Sequence, residues 1–320
     1  MSRFVLSEGN VLSDEFVLVD NMPSPSPFHH AGDLHFGKDG FLYISVGDGG
    51  CDYAPPVGCA ALNDAARDPH VLVGKVLRIT STGEIPLGNP FVGPDSARCN
   101  VSGQTAPGNK CQEIFAFGLR NPFRMAFDPN AAGTRFYIND VGQNTWEEID
   151  VGQAGADYGW NVREGHCRTG SETDCEKPPA DMTNPIFAYS HSATDPIFAG
   201  CSSITGGAFV PAGVWPAELE GAYLFSDFVC GRIFSLSPSD TATPFATELD
   251  SPVTVIFGPH EGTQALYYTT FHGGQVRRIA FIGSANRAPA AVGNATPTNG
   301  PVPLPVAFSG NESSDPDGHR

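Results

Sequence analysis

The chain has 320 residues with 37 glycines and 28 prolines, a composition that favours many short strands and tight turns over helices. Its formal net charge of −17 argues against nucleic acid or an anionic membrane as a partner, because both bind basic surfaces. No run of some 18 apolar residues occurs, so no membrane span is predicted, and the N-terminus "MSRFVLSEGN" has no apolar signal region.

An aromatic-rich strand that ends in Gly or Asp recurs along the chain, each time followed by a second strand that begins with Gly or Glu. The first strands are predicted at residues 40–48, 135–142, 221–228 and 265–274, and the second strands at 74–80, 147–152, 231–237 and 274–280. The central tyrosines, Tyr43, Tyr137, Tyr223 and Tyr267, are 94, 86 and 44 residues apart. If the last interval is one unit, the first two are close to two units each. A period near 45 residues made only of strands predicts a β-propeller, with an ordinary β-sandwich as the alternative.

The length of the repetitive part predicts a six-bladed, all-β propeller over residues 1–282. The first residues, "RFVLS" and "EFVLVD", have the pattern of the closing strands of a blade, so we expect part of the first blade to be missing. After Ile282 the sequence becomes rich in Pro, Ala and Asn, which predicts a linker at 283–300. The segment "PLPVAFSGNESSDPDG" resembles the start of a PKD domain, an immunoglobulin-like sandwich. Residues 301–320 are therefore expected to be a truncated PKD stub, too short to bury a core.

The first candidate site is the stretch "PFHHAGDLHFGKDGFLYISVGDGG", residues 27–50. His29 and His30 precede a predicted strand, and Asp39-Gly40 suits the tight turn after it. In a propeller the loops between blades gather at one end of a channel. An imidazole there can act as a general base near neutral pH, and Asp48 could orient it. A polar loop without function is the alternative.

The second candidate is Arg120-Asn121 in "EIFAFGLRNPFRMAFDP". A guanidinium beside an amide suits recognition of a planar, anionic ligand through forked hydrogen bonds, whereas a structural arginine that binds blade carbonyls is the alternative.

The third candidate is the turn at Gly142-Gln143 in "NDVGQNTWEEID", which is rich in backbone oxygens and has acidic neighbours. Calcium takes such oxygen ligands, although the spacing matches no EF-hand. In the fourth segment, "GADYGWNVREG", Tyr158 and Trp160 could line a pocket, but packing of a blade is the default interpretation.

The eight cysteines contain no CxxC motif, which gives a zinc or thioredoxin-type site little support. Neighbouring cysteines stand at separations typical of disulfide-closed loops: 51 with 59, 99 with 111, 167 with 175, and 201 with 230. Disulfides in an oxidising compartment are the favoured interpretation, although spacing cannot prove connectivity. A secreted, periplasmic or cell-surface protein is therefore expected.

These segments together resemble the glucose/sorbosone dehydrogenase family, the soluble quinoprotein sugar dehydrogenases. The resemblance follows the chain in order from about residue 3 to 282 through "HHAGDLHFGKDGFLYISVGDGG", "GKVLRI", "EIFAFGLRNPFR", "DVGQNTWEEID", "DYGWNVREG" and "ITGGAFVP". It implies a six-bladed propeller that oxidises an aldose at its anomeric carbon. It also implies the cofactor pyrroloquinoline quinone (PQQ), a calcium ion that polarises the quinone, and an external electron acceptor.

The same resemblance implies roles for individual residues. His29 is the expected general base, with His30 a variable neighbour, and Asp48 is the active-site acid. Residues Arg120 and Asn121 match a pair that touches the quinone. The main-chain carbonyls of Gly142 and Gln143 match two calcium ligands.

The chain departs from the family at three cationic positions that hold the cofactor's carboxylates. Val229 stands where a lysine is expected, and Pro252 and Thr254 stand where an Arg-x-Arg is expected. Arg232, with Arg277, is a candidate substitute. Such losses also occur in the hedgehog-interacting-protein branch, so the alternative function is a non-catalytic extracellular propeller that binds a protein or carbohydrate partner. A carbohydrate-adhesion component with the PKD stub as spacer is a third possibility.

Overall fold

Apart from one short turn of 3-10 helix, the regular secondary structure of the described residues is β-strand. The computed structural model describes residues 1–23, 26–50, 65–283 and 290–314, and it divides the chain into two compact units, Met1–Ile279 and Ala280–Arg320. The only helical segment in those ranges is a short 3-10 turn at Ala217–Leu219. The strands are β1 (Ser2–Leu6), β2 (Leu12–Val17), β3 (Ala31–Phe36), β4 (Leu42–Val46), β5 (Lys75–Ile79), β6 (Ser96–Ala97), β7 (Lys110–Cys111), β8 (Ile114–Phe117), β9 (Pro122–Phe127), β10 (Phe136–Asp140), β11 (Trp146–Val151), β12 (Arg163–Glu164), β13 (Cys167–Arg168), β14 (Phe187–Ser190), β15 (Ile204–Phe209), β16 (Tyr223–Asp227), β17 (Arg232–Leu236), β18 (Ala242–Ala246), β19 (Pro252–His260), β20 (Thr263–Thr270), β21 (Val276–Ile279), β22 (Asn294–Thr296) and β23 (Ala307–Ser309).

The large strands of the first unit form four antiparallel sheets, each built from strands in chain order. The sheets are β3-β4-β5-β8, β9-β10-β11-β14, β15-β16-β17-β18 and β19-β20-β21, with β1-β2 as a separate hairpin. Neighbouring sheets meet along their first strands: β3 packs beside β9, β9 beside β15, and β15 beside β19. Sequential antiparallel sheets whose first strands lie side by side are the arrangement of propeller blades, so the predicted all-β propeller architecture is confirmed.

The recurring tyrosines hold neighbouring sheets together. Tyr43 on β4 packs edge-on against Phe136 of the next sheet, with ring centroids 5.1 Å apart. One sheet further along, Tyr137 packs against Tyr223 in the same way at 5.0 Å. The Tyr223 hydroxyl donates to the side-chain oxygen of Asn139 at 2.8 Å, which satisfies its one polar atom in the core. Each fully buried aromatic of this kind contributes about 1.5–3 kcal/mol to folding.

The long intervals between these tyrosines have a different cause from the one predicted. The four tyrosines lie on β4, β10, β16 and β20, the second strands of consecutive sheets, so every interval is one unit and the interpretation of two intervals as double units was wrong. The extra length lies in long connections: residues 47–74 between β4 and β5, 80–113 between β5 and β8, and 152–186 between β11 and β14. The described residues hold four blade sheets and the β1-β2 hairpin.

Three of the predicted disulfides are present: Cys99–Cys111, Cys167–Cys175 and Cys201–Cys230. The first two lie within the connections at 80–113 and 152–186, and the third joins the loop before β15 to the turn after β16. The predicted pair of residues 51 and 59 lies outside the described residues. Within the described ranges no helix has the length and apolarity that a membrane crossing requires.

The second unit contains a small strand pair, in which β22 pairs antiparallel with β23. An isolated bridge between Ala290 and Ser314 extends the pairing. The proposed boundaries of linker (283–300) and stub (301–320), and the resemblance of the stub to a PKD domain, stay predictions.

Candidate active site

His29 lies at the end of the first sheet where β3 begins and β4 ends. The loop after β4 crosses the histidine pair, because the Gly47 amide donates to the His30 carbonyl at 2.8 Å and the Gly49 amide donates to the His29 carbonyl at 3.0 Å. His29 itself has a φ of 52°, in the left-handed region that a side chain other than glycine's seldom adopts. Two backbone hydrogen bonds thus hold His29 in an unfavourable conformation, a feature concentrated at functional sites.

The imidazole of His29 is paired with the carboxylate of Asp48. The Nδ1 atom lies 2.7 Å from Oδ1 of Asp48, whose side chain is fully buried, whereas the His29 side chain is 14% exposed. A carboxylate only accepts, so Nδ1 carries the proton and Nε2 is the basic nitrogen. His30 is exposed, and its Nε2 bonds the Ser26 carbonyl at 2.7 Å. The geometry of a base oriented by an acid therefore belongs to His29.

The second oxygen of Asp48 accepts a hydrogen bond from Trp160. The indole Nε1 lies 2.9 Å from Oδ2, and the Trp160 side chain is buried. Its aromatic face lies against Arg120, with the guanidinium carbon 5.4 Å from the ring centroid. Packing was the default interpretation of this tryptophan. The sequence contained no direct indication of the hydrogen bond from Trp160 to Asp48, apart from a polar indole nitrogen in a glycine-rich segment.

Arg120 joins this group to the turn at Gly142. Its Nη1 donates to the carbonyls of Val141 at 2.9 Å and Gly142 at 2.6 Å, and its Nη2 donates to the side-chain oxygen of Gln143. The structure thus brings His29, Asp48, Arg120 and the Gly142 carbonyl into one network of contacts, to which the Asp48 amide adds a hydrogen bond to the Arg120 carbonyl at 2.8 Å. Gln143 joins it through its side-chain oxygen and not through the predicted main-chain carbonyl. Trp160 is a member of the network that sequence reasoning missed.

The backbone that carries Arg120 and Asn121 is fixed by Asp140. The two carboxylate oxygens of Asp140 accept from the amides of Arg120 at 2.8 Å and Asn121 at 2.6 Å. Burial raises the pKa of Asp140 to about 7, against the lowering effect of those two amide bonds. Asp140 therefore holds the backbone of both residues at the end of the sheet where β9 begins.

The turn at residues 142–146 is held from beneath by Glu164. Its Oε1 accepts from the amides of Gln143 at 2.8 Å, Thr145 at 2.9 Å and Trp146 at 3.0 Å. Gly142 is required there, since a side-chain carbon would collide with the carbonyl oxygen of Trp146. With its amides bound to one carboxylate, the turn presents the Gly142 carbonyl to a cation, which is here the Arg120 guanidinium. A main-chain carbonyl is one of the oxygen ligands that calcium takes.

Arg232 is not joined to this network among the described residues. Its Nη1 donates to the carbonyls of Ile197 at 2.7 Å and Pro196 at 3.3 Å. Arg277 is exposed and donates to Gln275 at 2.7 Å.

A cavity of about 520 Å3 lies between the first strands of the sheets, lined among others by Arg124, Asp33, His35 and Thr254. The Arg124 guanidinium donates to the Gly32 carbonyl at 3.0 Å and lies 3.4 Å from the Thr254 hydroxyl. Arg124 is half-buried and was not predicted as a site residue, because it lies within a segment whose sequence is typical of a strand.

The glucose/sorbosone dehydrogenase model matches residues 1–222, more than half of the chain. The chain belongs to this family. HIPL2 protein of Arabidopsis thaliana is 31% identical to it over 265 residues, which are 74% of this chain and 35% of HIPL2. Aldose sugar dehydrogenase YliI of Escherichia coli K12 is 32% identical over 132 residues, 41% of this chain and 29% of YliI. The chain thus spans about a third of the length of these family relatives.

Solved structures of aldose sugar dehydrogenases have the same fold. The PQQ-bound aldose sugar dehydrogenase of Streptomyces coelicolor has a TM-score of 0.60 at 22% identity, covering 87% of this chain and 70% of that one. The apo aldose sugar dehydrogenase of Escherichia coli has a TM-score of 0.62 at 24% identity, covering 84% and 69%.

Proposed function

We propose that this family member is a quinoprotein oxidoreductase that oxidises aldose sugars at the anomeric carbon to lactones, using PQQ and calcium. The observation that carries the proposal is the buried Asp48 carboxylate, which binds Nδ1 of His29 at 2.7 Å and leaves Nε2 as the basic nitrogen. Family membership supports the reaction class, and an external acceptor would take the electrons.

The residues that would hold the two groups lie beside that base. Arg120, with its fixed fork of donors, and Asn121 fit the oxygens of a planar anionic quinone. The carbonyls of Gly142 and Gln143 would hold calcium, and Arg120 would have to release the Gly142 carbonyl for this to happen. Bound there, PQQ would supply the hydride acceptor and calcium a Lewis acid.

The chain's own contribution to the reaction is proton transfer. Nε2 of His29 accepts the proton of the anomeric hydroxyl, while the C1–H electron pair leaves as hydride and a C1=O bond forms. Asp48 keeps the proton on Nδ1 and stabilises the imidazolium that results. Because Asp48 is fully buried, water competes little for its oxygens.

The cell surface or another exported location is proposed together with this function. The three disulfides of the described residues fit an oxidising compartment. A neutral sugar needs no cationic site, which agrees with the acidic net charge of −17.

The test is a titration of this chain with PQQ in the presence and absence of calcium, followed by dye reduction with a panel of aldoses. We expect saturable, calcium-dependent binding and turnover. His29→Ala should lower kcat by about 100- to 10,000-fold with PQQ binding retained. His30→Ala is the matched control, since His30 is exposed and bonds away from Asp48, and it should keep near wild-type turnover. Loss of turnover in both variants would contradict the assignment of the base.

A non-catalytic extracellular binding module is the second candidate, because three family cations are absent from this sequence. Val229, at the expected lysine position, is 56% exposed, and Arg232 is bonded to backbone carbonyls. A folded chain with no PQQ binding at any calcium concentration would favour this module.

A further inference from the structure

The Trp160 side chain contacts both the acid beside the base and the arginine beside the predicted metal turn. Its Nε1 donates to Oδ2 of Asp48 at 2.9 Å, and its ring lies 5.4 Å from the guanidinium carbon of Arg120. The Trp160 side chain is 2% exposed, so both contacts are made away from water. We propose that Trp160 is a positioning residue for His29, acting through Asp48. This inference rests on the function proposed above.

The backbone around Trp160 is anchored to the first sheet. The Trp160 amide donates to the Gly118 carbonyl at 2.9 Å, and the Tyr158 amide donates to the Phe117 carbonyl at 3.0 Å. A side chain at Gly118 would crowd the Gly159 amide at 2.8 Å, so the close approach of the two segments depends on glycine. These hydrogen bonds fix the backbone position from which the Trp160 side chain reaches Asp48.

The Asp48 carboxylate is oriented by three donors. Oδ1 binds the His29 imidazole and the Gly50 amide at 2.8 Å, and Oδ2 binds the Trp160 indole. Without the indole N–H, a fully buried oxygen would lose its partner, a cost that rotation of the carboxylate could relieve. Such a rotation would carry Oδ1 away from Nδ1 of His29. Misplacement of a catalytic group by about 1 Å costs on the order of 100-fold in rate.

The contact with Arg120 gives the same tryptophan a second consequence. A guanidinium over an indole face is attracted by the ring's negative potential, most strongly when both are desolvated. The ring thereby also limits where Arg120 lies relative to Asp48. Removing only the N–H should disturb the base, whereas removing the whole ring should disturb the base and the arginine together.

The first experiment compares Trp160→Phe with Trp215→Phe. Trp215 is also buried, but its indole nitrogen has no hydrogen-bond partner in the described part of the chain, and its ring packs against Phe245 and Phe257. We expect Trp160→Phe to lower kcat by about 10- to 100-fold with KM and the PQQ Kd changed less than about 3-fold. Trp215→Phe should lower stability and leave kcat within about 2-fold. Equal kcat losses in the two variants would overturn the proposal.

A second measurement tests the contact between Trp160 and Asp48 without requiring catalytic activity. In a proton–nitrogen NMR spectrum of the cofactor-free protein, Asp48→Asn should move the indole signal of Trp160 and leave those of Trp146 and Trp215 in place. If the Trp160 indole signal has the same chemical shift in Asp48→Asn as in the wild type, the proposal is overturned even when the enzyme is active. A signal that responds in a chain that binds no PQQ supports the positioning contact and locates the failure in the proposed function.

Replacement of Trp160 by 3-benzothienylalanine, which keeps the ring shape and lacks the N–H, tests the hydrogen bond to Asp48 alone. It should reproduce the kcat loss of Trp160→Phe while the PQQ Kd stays at the wild-type value. A wild-type kcat with this residue would mean that the ring alone is needed, which contradicts a role through Asp48.

Discussion

The strand β11 carries charged side chains into the core on both of its faces. Glu147 binds His191 at 2.7 Å and the Ile204 amide at 2.9 Å. Glu148 and Asp150 lie on the opposite face, and neither oxygen of Asp150 has a hydrogen-bond partner among the described residues. Burial, and then the neighbouring Asp140 carboxylate, raise the pKa of Asp150 well above its usual range.

These raised pKa values predict that the cofactor-free fold loses stability as pH rises. A group whose pKa is higher in the folded than in the unfolded state stabilises the fold fully below its unfolded pKa, about 4 for Asp, and loses that contribution through its folded pKa. Asp140, with a folded pKa of about 7, adds to this window. The free energy of unfolding in urea, measured with EDTA, should therefore be larger at pH 5 than at pH 8. Asp150→Asn should raise stability at pH 8 relative to the wild type and flatten the pH profile.

The control for Asp150→Asn is Glu15→Gln, which removes one negative charge from an exposed position on β2. It should leave the difference between pH 5 and pH 8 unchanged. A wild-type stability that increases from pH 5 to pH 8, or an Asp150→Asn variant with an unchanged pH profile, would contradict the prediction.

For single residues, the sequence predicted contacts between residues that are close to each other along the chain. The pairing of His29 with Asp48 follows from a hairpin, because the two residues flank strands β3 and β4. The contact of Trp160 with Asp48 joins residues 112 positions apart and depends on how two loops pack, which no local pattern encodes.

The contact between neighbouring sheets sets the geometry of the site and depends on a glycine in β3. A side-chain carbon at Gly32 would collide with the carbonyl oxygen of Pro122 on β9 and lie 2.6 Å from the Ser45 hydroxyl. Gly32→Ala should therefore push β3 away from β9 and destabilise the fold by about 1–3 kcal/mol, read as a shift of the urea unfolding midpoint.

Gly133→Ala is the matched control, since nothing lies within 4 Å of the carbon that it adds. Its effect should stay within about 0.5 kcal/mol. If the two alanine variants unfold at the same urea concentration, the close approach of β3 and β9 does not limit stability.

Strand identity was predictable at this scale, whereas strand spacing was not. The predicted segments at 40–48 and 135–142 contain β4 and β10, because buried second strands are rich in aromatic and β-branched residues. The intervals of 94 and 86 residues misled the count, since a long connection adds length without any periodic signal. The disulfides Cys99–Cys111 and Cys167–Cys175 each form within one of these long connections, so each of those two connections is cross-linked to itself.

At the scale of the whole molecule, apolar exposure and net charge act in opposite directions. The β1-β2 hairpin exposes apolar side chains on both strands, among them Leu6 and Leu12, which pair across the hairpin and are each 62% exposed. An exposed apolar strand pair favours association with another chain. The net charge of −17 opposes association through repulsion that salt screens, with a Debye length of about 8 Å at physiological ionic strength.

The balance predicts self-association that grows with salt. The hydrophobic dye ANS should bind the wild-type chain, and its apparent mass in size-exclusion chromatography should rise between 0.05 and about 0.5 M NaCl, where the Debye length falls below about 5 Å. Leu6→Thr with Leu12→Thr keeps strand-forming residues and should reduce both signals, with stability changed by less than about 1 kcal/mol. Leu87→Thr, at a fully exposed position outside any strand, should change neither signal. Salt-dependent association that persists in the double variant would place the adhesive surface elsewhere, because only the hairpin pair would have lost its apolar character.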